Sequence, residues 1–225
     1  VSPSMVVLVP SRGRPRNIDR LRQAWADTGA TADLVVLVDD DDPTRDEYAA
    51  LDLPALHIGP RQRIGPLLND WAPRLARSYD VVGFMGDDHV PRTQGWDALV
   101  LEASTLWTVV YGNDLLQGEN LPTAVFQGAG IIRTLGQFCE PGALHLYLDN
   151  YWRTLGERLG TLRYLPDVII EHVHYINGKA PEDALYAEVN APSMYEHDGA
   201  AWTAYASGAM GDDLDRVRAA MGAVS

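Results

Sequence analysis

The stretch Asp80 to Arg92, D-V-V-G-F-M-G-D-D-H-V-P-R, joins a short apolar run to an acidic tip. Val81, Val82, Phe84 and Met85 have the length and composition of a buried strand. The run stops in Gly86-Asp87-Asp88-His89, and Pro91 blocks its continuation as a strand. In open α/β sheets, ligands sit in the crevice outside the carboxyl ends of the strands, so carboxylates at this position can reach a ligand. Two aspartates and a histidine are hard or borderline donors, suited to Mg²⁺ or Mn²⁺ carried in by a diphosphate. A solvated polar turn is the plainer alternative.

The flanking sequence repeats the pattern. Met5 to Val9 is an apolar run ending in Pro10-Ser11-Arg12-Gly13-Arg14-Pro15, and Ile18, Leu21 and Trp25 follow at helical spacing behind a candidate Asn17 cap. The arginines, Ser11 and Gly13 of this strand-to-helix loop suit a phosphate or a base. Leu34 to Val38 is a second strand run, and it ends in Asp39-Asp40-Asp41-Asp42, where nucleotide-binding domains hold a ribose or base and where a solvated turn is the alternative. Ala55 to Ile58 reads as a third strand. Arg61 and Arg63 follow it, then a helix carrying Ile64, Leu67, Leu68, Trp71 and Leu75. A helix from about Gln94 to Leu106 leads to a strand at Thr108 to Tyr111, which ends in Gly112-Asn113-Asp114. Strands alternating with helices predict an α/β fold with a mostly parallel sheet covered on both faces. Its aspartate-bearing tips then share one rim.

The second half changes character. Ala124 to Ile132 is strand-like but carries Gly128 and Gly130, which suggests close approach by a ligand or another segment. Leu144, Leu148, Trp152, Leu155 and Leu159 mark an amphipathic helix. Asp149 lies beside that apolar stripe, either as a partly desolvated base or as a surface charge paired with Arg153. Asp167 to Tyr175 reads as a strand whose alternation puts His172 and His174 on one face, where two imidazoles so spaced either converge on a metal or form a satisfied, partly buried pair. From Asn177 the chain is loop-rich, and Lys179 is placed to meet phosphate in a flap or to serve a plain connection. Trp202 and Tyr205 fall in a short helix, and Leu214, Val217 and Met221 in a last one, a C-terminal helical tail.

Composition narrows the classes. The 225 residues are 46% hydrophobic and 22% charged, the profile of a soluble globular chain. Acidic residues outnumber basic ones 31 to 18, a net charge of −13 that disfavours a general nucleic-acid-binding module. No membrane span and no secretory leader is legible, so a cytoplasmic location is expected. The single Cys139 rules out an internal disulfide and a cysteine-rich zinc site.

Together these residues resemble the GT-A glycosyltransferases, particularly family-2-like enzymes and their small phage-encoded relatives. Val6 to Pro15 is similar to the first strand and nucleotide loop, Val36 to Asp40 to the second strand, and Gly86-Asp87-Asp88-His89 to the D-x-D element. Gly130 to Phe138 and Tyr147 to Trp152 are similar to the acceptor segment and the acidic element before a tryptophan. The resemblance implies a Rossmann-like GT-A domain over residues 1–190, with a nucleotide-binding half of about 1–115, an acceptor half of about 116–190, and a C-terminal helical extension over 191–225. It implies that Pro10, Ser11, Arg12, Arg14, Asp39, Asp40, Arg63 and Asp87 bind the nucleotide-sugar. Asp88 with His172 or His174 would bind Mn²⁺ or Mg²⁺, and Asp149 would be the general base. The implied reaction is transfer, with inversion, from a nucleoside diphosphate sugar, UDP-sugar foremost, to an acceptor hydroxyl. Phage relatives suggest modified DNA bases as acceptor, beside small molecules, proteins and glycans. A phage relative would act in the host cytoplasm. Two departures stand out: Leu148 replaces the usual Glu before the base, and D-D-H replaces D-x-D. The rival readings are a sugar-nucleotide nucleotidyltransferase and a non-catalytic metal- or sugar-binding module.

Overall fold

The structure, a computed structural model, describes residues 3–223. The chain runs β1 (Met5–Ser11), α1 (Pro15–Asp27), β2 (Asp33–Asp39), α2 (Arg45–Ala49), β3 (Leu56–Gly59), α3 (Ile64–Leu75), β4 (Val81–Phe84), β5 (His89–Pro91), α4 (Trp96–Ala103) and β6 (Val109–Asn113). It continues with β7 (Val125–Gly128), α5 (Ala129–Leu135), α6 (Leu148–Leu159), β8 (Leu162–His172), α7 (Ala184–Val189), α8 (Pro192–Ser207) and α9 (Met210–Ala223). The strands form one eight-stranded sheet in the order β3-β2-β1-β4-β7-β6-β8-β5. The first four strands pair in parallel, whereas β7 is antiparallel to both β4 and β6, and β5 is antiparallel to β8. The second half therefore mixes directions where the sequence predicts mostly parallel pairing.

Strand alternation divides the core. Val6 and Leu8 of β1 face a cluster with Leu68 of α3, Trp152 of α6 and Leu214 of α9, while Met5, Val7 and Val9 face Ile18 of α1 and Trp96 of α4. Both faces are covered, which is why the strands read as continuous apolar runs. Tyr205 of α8 and Met210, Leu214 and Val217 of α9 are part of that first cluster, so the C-terminal helices complete one face of the core.

Several boundaries depart from the predicted ones. Helix α1 starts at Pro15 behind Arg14, so Asn17 is not its cap; proline is pre-set for the first helical position. Strand β4 ends at Phe84, and a separate short strand, β5, follows at the sheet edge and ends at Pro91, where the missing N–H costs no ladder bond. The run Ala124 to Ile132 divides into β7 and α5. A Cβ at Gly128 would lie 2.3 Å from the Thr105 carbonyl oxygen, and one at Gly130 2.7 Å from that of Leu106, so both glycines admit another backbone segment. Strand β8 begins at Leu162 and ends at His172, leaving His174 just beyond it. Helix α6 begins at Leu148, and Leu144 lies in the preceding loop.

Candidate active site

The carboxyl ends of β1, β2 and β4 open into a cleft of about 370 Å³. It is lined by Pro10, Ser11, Arg12, Arg14, Asp39, Arg63, Asp87, Asp88, Asp149, His172 and His174. Asp40 lies outside it. Asp39 is the last residue of β2, and Asp40, one step on, points to solvent, its backbone N–H bonded to the Gly59 carbonyl at 2.7 Å.

The four consecutive carboxylates are separated by function. Arg12 Nη1 donates to Asp39 Oδ2 at 2.9 Å and to Asp41 Oδ1 at 2.5 Å. Asp42 is buried and accepts the Gly13 N–H at 2.7 Å, fixing the first loop against the second. Ser11 donates to Asp87 Oδ2 at 2.6 Å, and Arg14 Nη1 reaches Asp87 Oδ1 at 3.2 Å. Asp87 and Asp88 are adjacent and buried, so they cannot ionise independently. Burial and the Asp88 charge raise Asp87. Burial also opposes ionisation of Asp88, but His172 and His89 outweigh it and hold that carboxyl well below the usual range. Gly86 makes this turn feasible: a Cβ there would lie 2.7 Å from Asp88 Oδ1.

Asp88, His172 and His174 offer ligand atoms within 4.8 Å of one another, a candidate metal site. His172 Nε2 is 3.4 Å from Asp88 Oδ1, and its Nδ1 is buried 3.7 Å from Asp114 Oδ2 with no hydrogen-bond partner. Burial opposes protonation of His172, but Asp114 and Asp88 overcome it and raise the ring to about 9. Neighbouring donors at such spacing fit a shared cation. One carboxylate and two imidazoles favour Mn²⁺ over Mg²⁺. His174 is lowered to about 4 by burial and by the neighbouring His172, so it is a neutral donor near pH 7. His89 stacks on His172 at 4.2 Å, but Gly86 N–H occupies its Nδ1 and Thr123 its Nε2. It orients the site rather than offering a free donor.

Asp149 stands in the first turn of α6, which starts behind Tyr147 in the left-handed region, φ 62°. Burial raises its carboxyl, only partly offset by the Asn150 N–H at 2.9 Å. It does not pair with Arg153, which binds Glu157 at 2.7 Å and the Asn120 carbonyl. Lys179 likewise turns away from the cleft, to Glu171 at 2.6 Å. Cys139 is fully buried; burial pushes its thiol up, as befits a packing residue.

No protein-family profile and no curated protein sequence matches the chain. Solved structures do match. Glucosyl-3-phosphoglycerate synthase from Mycobacterium tuberculosis in complex with Mg²⁺ and UDP is similar with a TM-score of 0.56 and 13% identity over 88% of this chain and 80% of that one. The fold is GT-A. The same synthase with Mn²⁺, UDP and glucosyl-3-phosphoglycerate is similar at a TM-score of 0.53 and 13% identity, over 88% of this chain and 80% of that one. A Bacillus anthracis protein assigned as a glucose-1-phosphate thymidylyltransferase follows at 0.52 and 9% identity, over 86% of this chain and 99% of that one. At such identities the likeness establishes the fold, and the chemistry rests on this chain's own residues.

Residues absent from the sequence-based set line the cleft or hold the side chains that do. Tyr186 donates to Asp88 Oδ2 at 2.7 Å, and Asp183 grips Arg14 through two bonds of 2.7 and 2.8 Å. Glu188 pairs with Arg61 at 2.8 Å and Arg63 at 2.7 Å. Asp198, fully buried on α8, accepts the N–H groups of Leu144, His145 and Leu146 at 3.0, 2.8 and 2.7 Å. It thereby clamps the loop leading into α6 and Asp149. Among the described residues, no helix is long and apolar enough to cross a membrane.

Proposed function

We propose that the chain is a metal-dependent glycosyltransferase that moves a sugar from a nucleoside diphosphate sugar, UDP-sugar foremost, to an acceptor hydroxyl with inversion. The observation that carries this reading is the convergence, in one cleft at the strand ends, of Asp88, His172 and His174 with the raised carboxyl of Asp149. Residues 1–115 supply the nucleotide side, 116–190 the acceptor side, and the helices from 191 onward the support beneath it.

Asp88, His172 and His174 would hold the cation, Mn²⁺ in preference to Mg²⁺, which supplies Lewis-acid stabilisation of the leaving diphosphate. Arg12 and Asp39, with Pro10 and Ser11, form the edge that receives the nucleoside, while Arg14 and Arg63 provide guanidinium donors for phosphate. Asp87 fixes Arg14 and Ser11 and faces the donor. Asp149 accepts the proton as the acceptor oxygen forms its bond to the anomeric carbon and the bond to the diphosphate breaks on the opposite face. The −13 charge favours a small or uncharged acceptor over DNA.

The test is release of nucleoside diphosphate from a panel of UDP-, GDP- and dTDP-sugars with Mn²⁺ and with EDTA. Metal-dependent release from one donor, accelerated by an acceptor, is the expected result. Pyrophosphate release from a nucleoside triphosphate and a sugar 1-phosphate would establish the nucleotidyltransferase reading instead. Binding of Mn²⁺ with neither reaction would establish the binding module.

A further inference from the structure

Three side chains of one short segment occupy the groups that a nucleotide-sugar needs. The segment from Gly178 to Asn190 folds over the cleft, and Leu185, Tyr186, Val189 and Asn190 line its roof. Asp183 takes Arg14 through a bidentate pair, and Glu188 bridges Arg61 and Arg63. Tyr186 covers Arg14, its ring 4.0 Å from the guanidinium carbon, and donates its hydroxyl hydrogen to Asp88. Of the four arginines lining the cleft, Arg12 is engaged by Asp39 and Asp41 instead, and Arg14 also reaches Asp87 through Nη1 at 3.2 Å.

Carboxylates placed on arginines in this way present the same acceptor pattern as phosphate oxygens, with bidentate geometry at Arg14. A phenol hydrogen-bonded to Asp88 likewise takes up an oxygen that a cation would use. The roof is also a substantial cover, because its own Tyr186 and Val189 are buried. A diphosphate that takes Arg14 through the same fork must displace Asp183, and one drawn to Arg61 and Arg63 competes with Glu188 for their charge.

We infer that α7 and its flanks form a donor-competing lid, in which Asp183, Tyr186 and Glu188 stand in for the diphosphate and its cation until the donor displaces them. This rests on the donor-site reading above. The lid keeps three arginines and a buried carboxylate partnered in the empty cleft, where unpaired charges would be costly. It also sets donor affinity, since every donor molecule must outcompete it.

The test compares UDP binding by the wild-type chain and by the double variant Asp183→Asn, Glu188→Gln, each with Mn²⁺. Asparagine retains the helix cap that Asp183 provides through the Tyr186 N–H, so α7 keeps its start. The lid predicts that the variant binds UDP roughly three- to thirtyfold more tightly, as two competing ion pairs are lost. It also predicts that UDP with Mn²⁺ speeds amide exchange across 183–190 in the wild type. Equal or weaker binding by the variant, or slower exchange on adding UDP, overturns the lid while wild-type binding leaves the donor site standing. If neither protein binds UDP, GDP, ADP or dTDP with Mn²⁺, the donor site and the lid both fall.

Discussion

Asp149 is the carboxylate on which turnover should depend most. Its neighbourhood raises the carboxyl through burial, and no arginine holds it ionised. Asp149→Asn should lower kcat by about 10²- to 10⁴-fold, the usual worth of a positioned general base, with the Kd for UDP almost unchanged. Parallel steady-state kinetics and calorimetry check this, and near-normal turnover would remove Asp149 from the role. The raised carboxyl also places the acidic limb of the kcat profile above the ordinary aspartate value of about 3.9. His172 gives a second pH signature. In the metal-free chain its pKa is raised to about 9, so its contribution to stability is complete below the unfolded value near 6.5 and is lost as pH rises through 9. The melting temperature of the metal-free protein should therefore fall between pH 6.5 and 9. Over the same window the stabilisation by Mn²⁺ should grow, because the metal needs the deprotonated ring. Scanning calorimetry with EDTA and with Mn²⁺ separates the two trends.

At the scale of elements, the placement of Asp149 depends on a contact between segments far apart in sequence. Asp198 of α8 closes three backbone N–H groups of the loop before α6, and the Gly65 N–H bonds the Leu144 carbonyl at 3.0 Å from the other side. Asp198→Ala leaves buried donors unpaired and should cost about 2–4 kcal/mol by chemical denaturation. In the fraction still folded, Asp149 should be misplaced, so kcat should fall more than UDP affinity. Strands β1, β2 and β4 were legible because both faces of each are covered, and the β2 and β4 runs lead into aspartates whereas β1 leads into Ser11 and Arg12. Strand β8 was only half legible: its first residues are partly exposed, and Pro166 falls where the pairing with β6 jumps from Gly112–Leu165 to Asn113–Ile169. Strand β5 is three residues long and contains a proline, so it left no pattern at all. The i, i+2 histidine pair was readable from local spacing. Asp183 and Tyr186 were not, because their partners Arg14 and Asp88 lie 169 and 98 positions away and only the tertiary fold brings them together.

For the whole molecule, the C-terminal helices belong to the packing as much as the sheet does. Met210, Leu214 and Val217 are nearly or fully buried against the face that carries Trp152 and Leu68. A chain ending at residue 190 would expose that face and lose the Asp198 clamp, and it should show no cooperative melt in circular dichroism. A sharp transition with retained UDP binding would instead make the helices a dispensable extension. Equilibrium binding of UDP to the 225-residue chain with Mn²⁺ and with EDTA tests most directly whether the cleft is a metal-dependent donor site. UDP binding that requires Mn²⁺ and is lost in His174→Ala is the predicted result; binding indifferent to both, or no binding under either condition, would contradict it.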